Sequence, residues 1–351
     1  MNKEITVKTP YQPLLAQSLK PGETIGFFSA SAPVTATAPQ RFARAQRFLQ
    51  DKGFGLKAGL LTQKSDFYRA GTIQERAEEF NQLLRCPQVR CVMSTIGGMN
   101  SNALLPYIDY EAIRADPKII IGYSDTTALL LGIYAQTGLI TFYGPALVAS
   151  FGEFPPLVDT TWHSFSQLLI TPPALPYTYS QPTVWSDEKL NWDTAVPERP
   201  KKLYDNNCQF LGSGTVAGRV IGGNLNTLSG IWGSPYMPDI VEGDILFIED
   251  SLKDIATVER SFNMLKLNGI FDRVSAVLLG KHEGFNDSGS GRRPIEVLLE
   301  VLNGQPLPIV DGFDCCHTHP MLTLPLGSQI QIDFERKVVE LISVYLSSPA
   351  N

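Results

Sequence analysis

The sequence predicts an α/β protein in two parts. An N-terminal Rossmann-like or flavodoxin-like domain carries a parallel sheet, and a smaller C-terminal β/α domain follows. Three observations predict this. Short unbroken apolar runs alternate with helical patterns through the first 150 residues, as expected of strands covered on both faces. The alternation stops in a proline-rich stretch and resumes near Gly212. The length, 351 residues, suits two domains at roughly 100–200 residues each.

In chain order, Glu23 to Phe28 reads as a buried strand and residues 38–52 as a helix stopping at Gly53. Residues 72–85 repeat the helical pattern, and Thr72 with Glu75 three residues on is a capping-box signature. Val89 to Thr95 is a strand ending in Gly97-Gly98. Lys118 to Gly122 is another, a helix runs from Asp125 to Thr137, and Ile140 to Tyr143 closes the series. These elements and a helix near 157–170 make up the first domain, residues 1–170. Residues 171–211 are an inter-domain loop, with Pro172, Pro173, Pro176, Pro182, Pro197 and Pro200 interleaved with Tyr177, Tyr179, Trp185 and Trp192. A loop of this length and aromatic content is expected to cover something. In the second domain, 212–351, strands are read at 216–220, 244–248, 274–279 and 308–313, with helices at 254–268 and 295–302. Residues 329–334 and 337–344 alternate apolar and polar, so they form a closing hairpin over Glu335-Arg336.

Composition narrows the function. Hydrophobic residues make up 43% of the chain, enough for a packed core and too many for a disordered chain. The net charge of -6 argues against nucleic acid or an anionic membrane as partner. Residues 126–152 carry no charge, yet Gln136, Thr137, Gly138, Gly144 and Pro145 interrupt them, so they read as buried core rather than a membrane span. The N-terminal MNKEITVKTPYQPL lacks the apolar core of a secretory signal. Five cysteines without CxxC spacing fit reduced thiols in a cytoplasmic protein. The run Cys315-Cys316-His317-Thr318-His319 is too compact to place tetrahedral ligands, so no metal and no cofactor is expected.

Four segments can carry chemistry. In Ile119-Ile120-Ile121-Gly122-Tyr123-Ser124-Asp125 a β-branched strand runs straight into a helix, like a nucleophile elbow, although Thr126 stands where a second Gly is usual. Ser124 is either the nucleophile or a helix N-cap. Gly97-Gly98 lets backbone approach a ligand, and its N–H groups with that of Asp125 suit an oxyanion. The strand Asp244 to Ile248 ends in Glu249-Asp250, where a carboxylate can orient an imidazole, while Asp250 before Ser251 reads as a solvated turn or cap. Nearby Lys253 can hold a substrate carboxylate as a point charge, or be a surface lysine. Among four histidines, His317 or His319 suits a general base, His282 is the fallback, and His163 reads as structural on an amphipathic helix.

Together the segments IIGYSDTTALL (120–130), LFIEDS (246–251), the loop GGNLNTLSGIWGSP (222–235) and HTHPMLTLPLG (317–327) resemble the LD-carboxypeptidase family of serine peptidases, across about residues 20–345. The long insertion at 177–210 with Trp192-Asp193 is more similar to the branch of microcin C immunity proteins than to the murein-recycling branch. The resemblance implies a catalytic Ser124, a base His317 rather than His319, an orienting Glu249, and an oxyanion hole from Gly98 and Asp125. It also implies that Trp192 stacks on a nucleotide base, the alternative being a loop anchor on the core, and that Asn224 lines the site. The expected activity is a serine hydrolase cleaving an amide next to a free carboxylate in a peptide or peptidyl-nucleotide. The alternatives are a murein tetrapeptide LD-carboxypeptidase and, in another class, a non-catalytic nucleotide- or peptide-binding module. A homodimer is expected from the same resemblance.

Overall fold

The computed structural model describes residues 13–192 and 199–347. The N-terminal segment read above for a signal, and Asp193 beside Trp192, lie outside the described residues. The chain forms a first sheet that is mostly parallel and a second that is parallel at its centre and antiparallel toward both edges. The first domain supplies β1 (Thr24–Phe28), β2 (Gly55–Ala58), β3 (Val89–Ser94), β4 (Ile119–Gly122) and β5 (Thr141–Tyr143). Its helices are α1 (Val34–Thr37), α2 (Pro39–Asp51), α3 (Ile73–Arg85), α4 (Tyr110–Ala115), α5 (Thr127–Thr137) and α6 (Leu157–Leu169). The spatial order 2-1-3-4-5 is the flavodoxin-like one. In such sheets ligands bind outside the carboxyl ends of the strands, where the order reverses, here between β1 and β3.

Local chemistry explains these elements. The Thr72 hydroxyl accepts the Glu75 N–H (3.2 Å) and the Glu75 carboxylate accepts the Thr72 N–H (2.9 Å), so the capping box starts α3 as read. Helix α5 is buried nearly all round and stops at Gly138, whose φ of 75° only glycine adopts freely. The uncharged run 126–152 therefore becomes α5, β5 and a buried π-helical turn, Leu147–Phe151. Among the described residues no helix is long and apolar enough to cross a membrane.

The inter-domain connection is not featureless. It holds β6 (Tyr177–Thr178), β7 (Val184–Trp185), β8 (Tyr204–Asp205) and β9 (Gln209–Leu211). Runs of two or three residues are too short for alternation to show in sequence. Strands β6 and β9 border the second sheet, and β7 pairs with β8. That sheet is built from β10 (Thr215–Asn224), β11 (Ile245–Glu249), β12 (Ala276–Gly280) and β13 (Ile309–Phe313), all parallel, with α7 (Leu225–Ser229), α8 (Ile255–Leu267) and α9 (Pro294–Leu302) between them. Strand β14 (Leu324–Leu326) leaves this domain and pairs antiparallel with β5 at the edge of the first sheet. It surrounds Pro325, which hid it from a strand reading and which an edge position tolerates. The expected hairpin is β15 (Gln329–Asp333) on β16 (Val338–Leu341).

One segment differs from its reading. Residues 222–235 are not a loop throughout: Gly222 to Asn224 complete β10, and α7 follows. Gly222 and Gly223 sit in the strand at φ of 134° and 152°. A Cβ at Gly222 would lie 1.8 Å from the Phe247 carbonyl oxygen, and one at Gly223 would lie 2.6 Å from Thr127 Cγ2. The glycines thus bring β10 close against β11 and against α5 of the other domain.

This contrast is testable by thermal unfolding. Gly222→Ala meets backbone that cannot yield, so it should cost at least ~3 kcal/mol or prevent folding. Gly214→Ala has φ of 75° but nothing within 4 Å of its Cβ, so strain alone should cost ~1 kcal/mol. Equal losses would show that crowding at β10 is not limiting.

Candidate active site

Ser124 follows β4 directly and has φ of 60°, a left-handed conformation that is uncommon for a non-glycine residue. The strain is held by close packing on both sides. A Cβ at Gly97 would lie 2.6 Å from Ser124 Cβ and 3.0 Å from the Asp125 nitrogen. A Cβ at Gly122 would meet Thr126 Cγ2 at 2.8 Å. The glycine two residues before Ser124 therefore makes the room that the elbow pattern usually obtains from a glycine two residues after it. Ser124 is not a side-chain helix cap; its hydroxyl points elsewhere.

That hydroxyl lies 2.8 Å from His317 Nε2, and His317 Nδ1 lies 2.6 Å from Glu249 Oε2. The Glu249 contact makes Nδ1 the donor, which leaves Nε2 to accept from Ser124 Oγ. His317 follows β13 in the loop crossing above Gly280, where a Cβ would lie 2.7 Å from Glu249 Cβ and 2.9 Å from Cys316 Cβ. Glycine at the end of β12 is what lets the histidine loop and the β11 carboxylate meet. The edge of Tyr123 packs against the imidazole at 4.9 Å between centroids.

Glu249 is buried and fully hydrogen-bonded. Oε2 accepts from His317 Nδ1 and from the His317 backbone N–H (3.2 Å). Oε1 accepts from the Tyr143 hydroxyl (2.5 Å) and Asn224 Nδ2 (3.0 Å). Burial alone would raise its pKa, but the His317 charge and these donors outweigh it and hold the carboxyl below its usual range. Burial likewise disfavours a charged His317, yet Glu249 wins and holds the imidazole above its ordinary value. Burial, with Glu249 beside it, keeps the Tyr143 phenol protonated and therefore a donor. The Tyr143 oxygen also accepts the Ser124 N–H at 3.0 Å, so one side chain ties the elbow to the carboxylate.

These groups open on a cavity of about 720 Å³ between the domains. Gly97, Gly98, Ser124, Trp192, Asn224, Lys253 and His317 all line it. Asp125 turns its carboxylate away, where it accepts the Asn100 and Ser101 N–H groups (3.0 and 2.9 Å). Trp192 packs on the core with the Arg41 guanidinium 4.2 Å from its ring, and it also lines the cavity. The Asn224 amide is fully engaged by protein, since Oδ1 caps α7 at Thr227 and Nδ2 reaches Glu249 and Asp250. Lys253 Nζ donates to the Ser251 carbonyl (3.1 Å) and lies 3.8 Å from Asp250.

Asp250 is a correction: it is buried, lines the cavity and is pushed up to about 6 by burial, rather than forming a solvated turn. His163 is another, being exposed on α6. His282 accepts the Lys253 N–H (3.2 Å) away from Ser124, and burial pushes it down to about 4. His319 lines the cavity, and its buried Nδ1 has no hydrogen-bond partner among the described residues. Sequence reasoning missed Tyr143, Asn226, Lys201 and Glu283. The last three line the cavity, while Tyr143 sits behind it. Tyr143 ends a strand pointing at the same edge as Ser124, which is the one signal that marks it.

Two outcomes test this network. The rate should rise with pH as His317 loses its proton, with a midpoint above the ordinary imidazole value of about 6.5, since its folded-state pKa is raised. Tyr143→Phe removes a donor from Glu249, so that midpoint should move up further, and kcat/KM should fall about 10- to 100-fold. A pH–rate profile of both proteins checks this, and an unmoved midpoint in the variant would contradict the coupling.

Comparison with known proteins agrees with the segments read from sequence. The model of the LD-carboxypeptidase N-terminal domain matches residues 25–144, and that of the C-terminal domain matches residues 217–332. The chain is 65% identical over 336 residues to the microcin C7 self-immunity protein MccF of Escherichia coli, covering 96% of this chain and 98% of that protein. It is 62% identical over 328 residues to a putative carboxypeptidase of Vibrio cholerae, covering 93% and 97%. A solved structure of MccF in complex with aspartyl sulfamoyl adenosine superposes with a TM-score of 0.94 at 66% identity, covering 95% of this chain and all of that one. The chain therefore belongs to the LD-carboxypeptidase family of serine peptidases.

Proposed function

We propose that the protein hydrolyses the amide bond of an aminoacyl- or peptidyl-nucleotide of the microcin C type, using Ser124 as nucleophile, His317 as base and Glu249 as its orienting partner. The observation that carries this is the continuous hydrogen-bonded chain from Glu249 through His317 to Ser124, opening on a cavity walled by the Trp192 loop. His317 Nε2 takes the Ser124 proton as Oγ attacks the carbonyl carbon. The oxyanion meets the N–H groups of Gly98 and Asp125, whose placement beside Ser124 is supported by the packing at Gly97. His317 then gives its proton to the leaving nitrogen, and the acyl-enzyme is hydrolysed by water that His317 deprotonates. The Trp192 indole, backed by Arg41, stacks on the nucleobase. Lys253 and Asn226 bind the polar groups of the acyl residue. The similarity to MccF, solved with aspartyl sulfamoyl adenosine, supports the nucleotide over a murein peptide. We extend the reading to a cytoplasmic homodimer, which light scattering on the purified protein tests directly.

Ser124→Ala should abolish cleavage of aspartyl sulfamoyl adenosine while leaving its binding intact. Wild type should turn over that compound in preference to a murein tetrapeptide in a side-by-side assay. Trp192→Ala should weaken KM for the nucleotide about tenfold, the scale of one base stack, and leave the peptide untouched. Equal loss on both compounds would remove Trp192 from nucleotide recognition.

A further inference from the structure

Two cations share one carboxylate in the wall of the cavity. Arg41 Nη2 pairs with Glu153 Oε2 at 2.9 Å, and Lys201 Nζ lies 3.8 Å from the same oxygen. Side-chain exposure is 2% for Arg41, 3% for Lys201 and 1% for Glu153. Two buried cations thus meet one carboxylate at contact distance, with Glu283 and Asp187 acting on Lys201 from farther off, and a buried ammonium without a close partner is costly.

The two cations are not equivalent. Arg41 is satisfied: it donates to the Val148 and Ala149 carbonyls (3.0 and 2.8 Å) and to Glu153, and it stacks on Trp192. Lys201 is not. A separation of 3.8 Å from Glu153 is too long for a hydrogen bond, and no other partner reaches its ammonium among the described residues. Lys201 lines the cavity, on the chain segment that also carries Trp192 and Lys189. Glu283 is the acid lining the cavity that lies electrostatically closest to Lys201, and no ion pair joins them. Burial outweighs Glu153, Glu283 and Asp187 and holds the Lys201 pKa below its usual value.

We propose that Lys201 is an anion receptor that binds the negatively charged phosphoryl linker on the leaving side of the scissile amide. This rests on the nucleotide reading above, because Trp192, its neighbour through Arg41 and Glu153, holds the nucleoside there. Binding an anion gives the Lys201 ammonium the close partner that the described residues do not supply. It also places a cation where negative charge collects as the amine departs.

The test is calorimetric titration with adenosine and with adenosine monophosphate, which differ only in the phosphoryl group. Wild type should bind the monophosphate about tenfold more tightly, the size of one charge-assisted hydrogen bond. Lys201→Gln should bring the two affinities within about twofold of each other without changing that for adenosine, and Lys201→Arg should keep most of the difference. Equal affinities in wild type, or an unchanged ratio in Lys201→Gln, would overturn the receptor while adenosine binding keeps the nucleotide reading. Binding of neither compound would remove both. Because the wild-type ratio alone can overturn the proposal, it stays testable if a variant fails to fold.

Discussion

The structure depends on a buried carboxylate that must be satisfied from both domains at once. Glu249 ends a strand of the second sheet, and Tyr143 ends a strand of the first. The hydrogen bond between them crosses the domain boundary, and the same hydroxyl receives the Ser124 N–H. An ionised group this deep is tolerable only with a full set of donors, so each donor fixes one element. Asn224 fixes the start of α7, His317 fixes the loop after β13, and Tyr143 fixes the end of β5. Satisfying the carboxylate and bringing Ser124, His317 and Glu249 together are one and the same arrangement.

Close approach of backbones makes this convergence possible. Glycines occupy the points where strand ends and loops would otherwise collide: Gly97 and Gly122 around Ser124, Gly223 against Thr127, and Gly280 under the histidine loop. Strand β14 adds to the junction by crossing from the second domain to the edge of the first sheet. The Cys315 thiol then donates to the Tyr143 carbonyl, and the Met321 N–H to Thr161 on α6. The domains are thus stitched by short contacts on either side of the site, and neither half holds a complete set of reacting groups.

The cavity divides its chemistry by origin. The groups proposed as catalytic, Ser124, Glu249 and His317, come from strand ends and the turns that follow them. Trp192, Lys189 and Lys201 come from the long connection. The proposed hydrolytic centre on the scaffold with the proposed recognition on the connection is the division expected when one fold serves several substrates.

Local sequence sufficed for the α/β class, the capped helix α3, the elbow at Ser124 and the shortlist of bases, because each depends on the spacing of neighbouring residues. It also held the resemblance that chose His317 over His319. It did not reveal β14, the strands of the connection, or the strand conformation of Gly222-Gly223, because those are set by partners far along the chain. Tertiary structure alone decided what the site residues touch. Asn224, read as a site-lining residue, gives its amide to Glu249 and to the α7 cap, while unremarked Tyr143 ties the nucleophile turn to the acid. Lys201, a plain lysine in sequence, becomes a buried cation that shares the Glu153 carboxylate with Arg41 and makes no hydrogen bond to it. The reason is physical: hydrogen bonds and desolvation depend on distance in space, and a sequence records only distance along the chain.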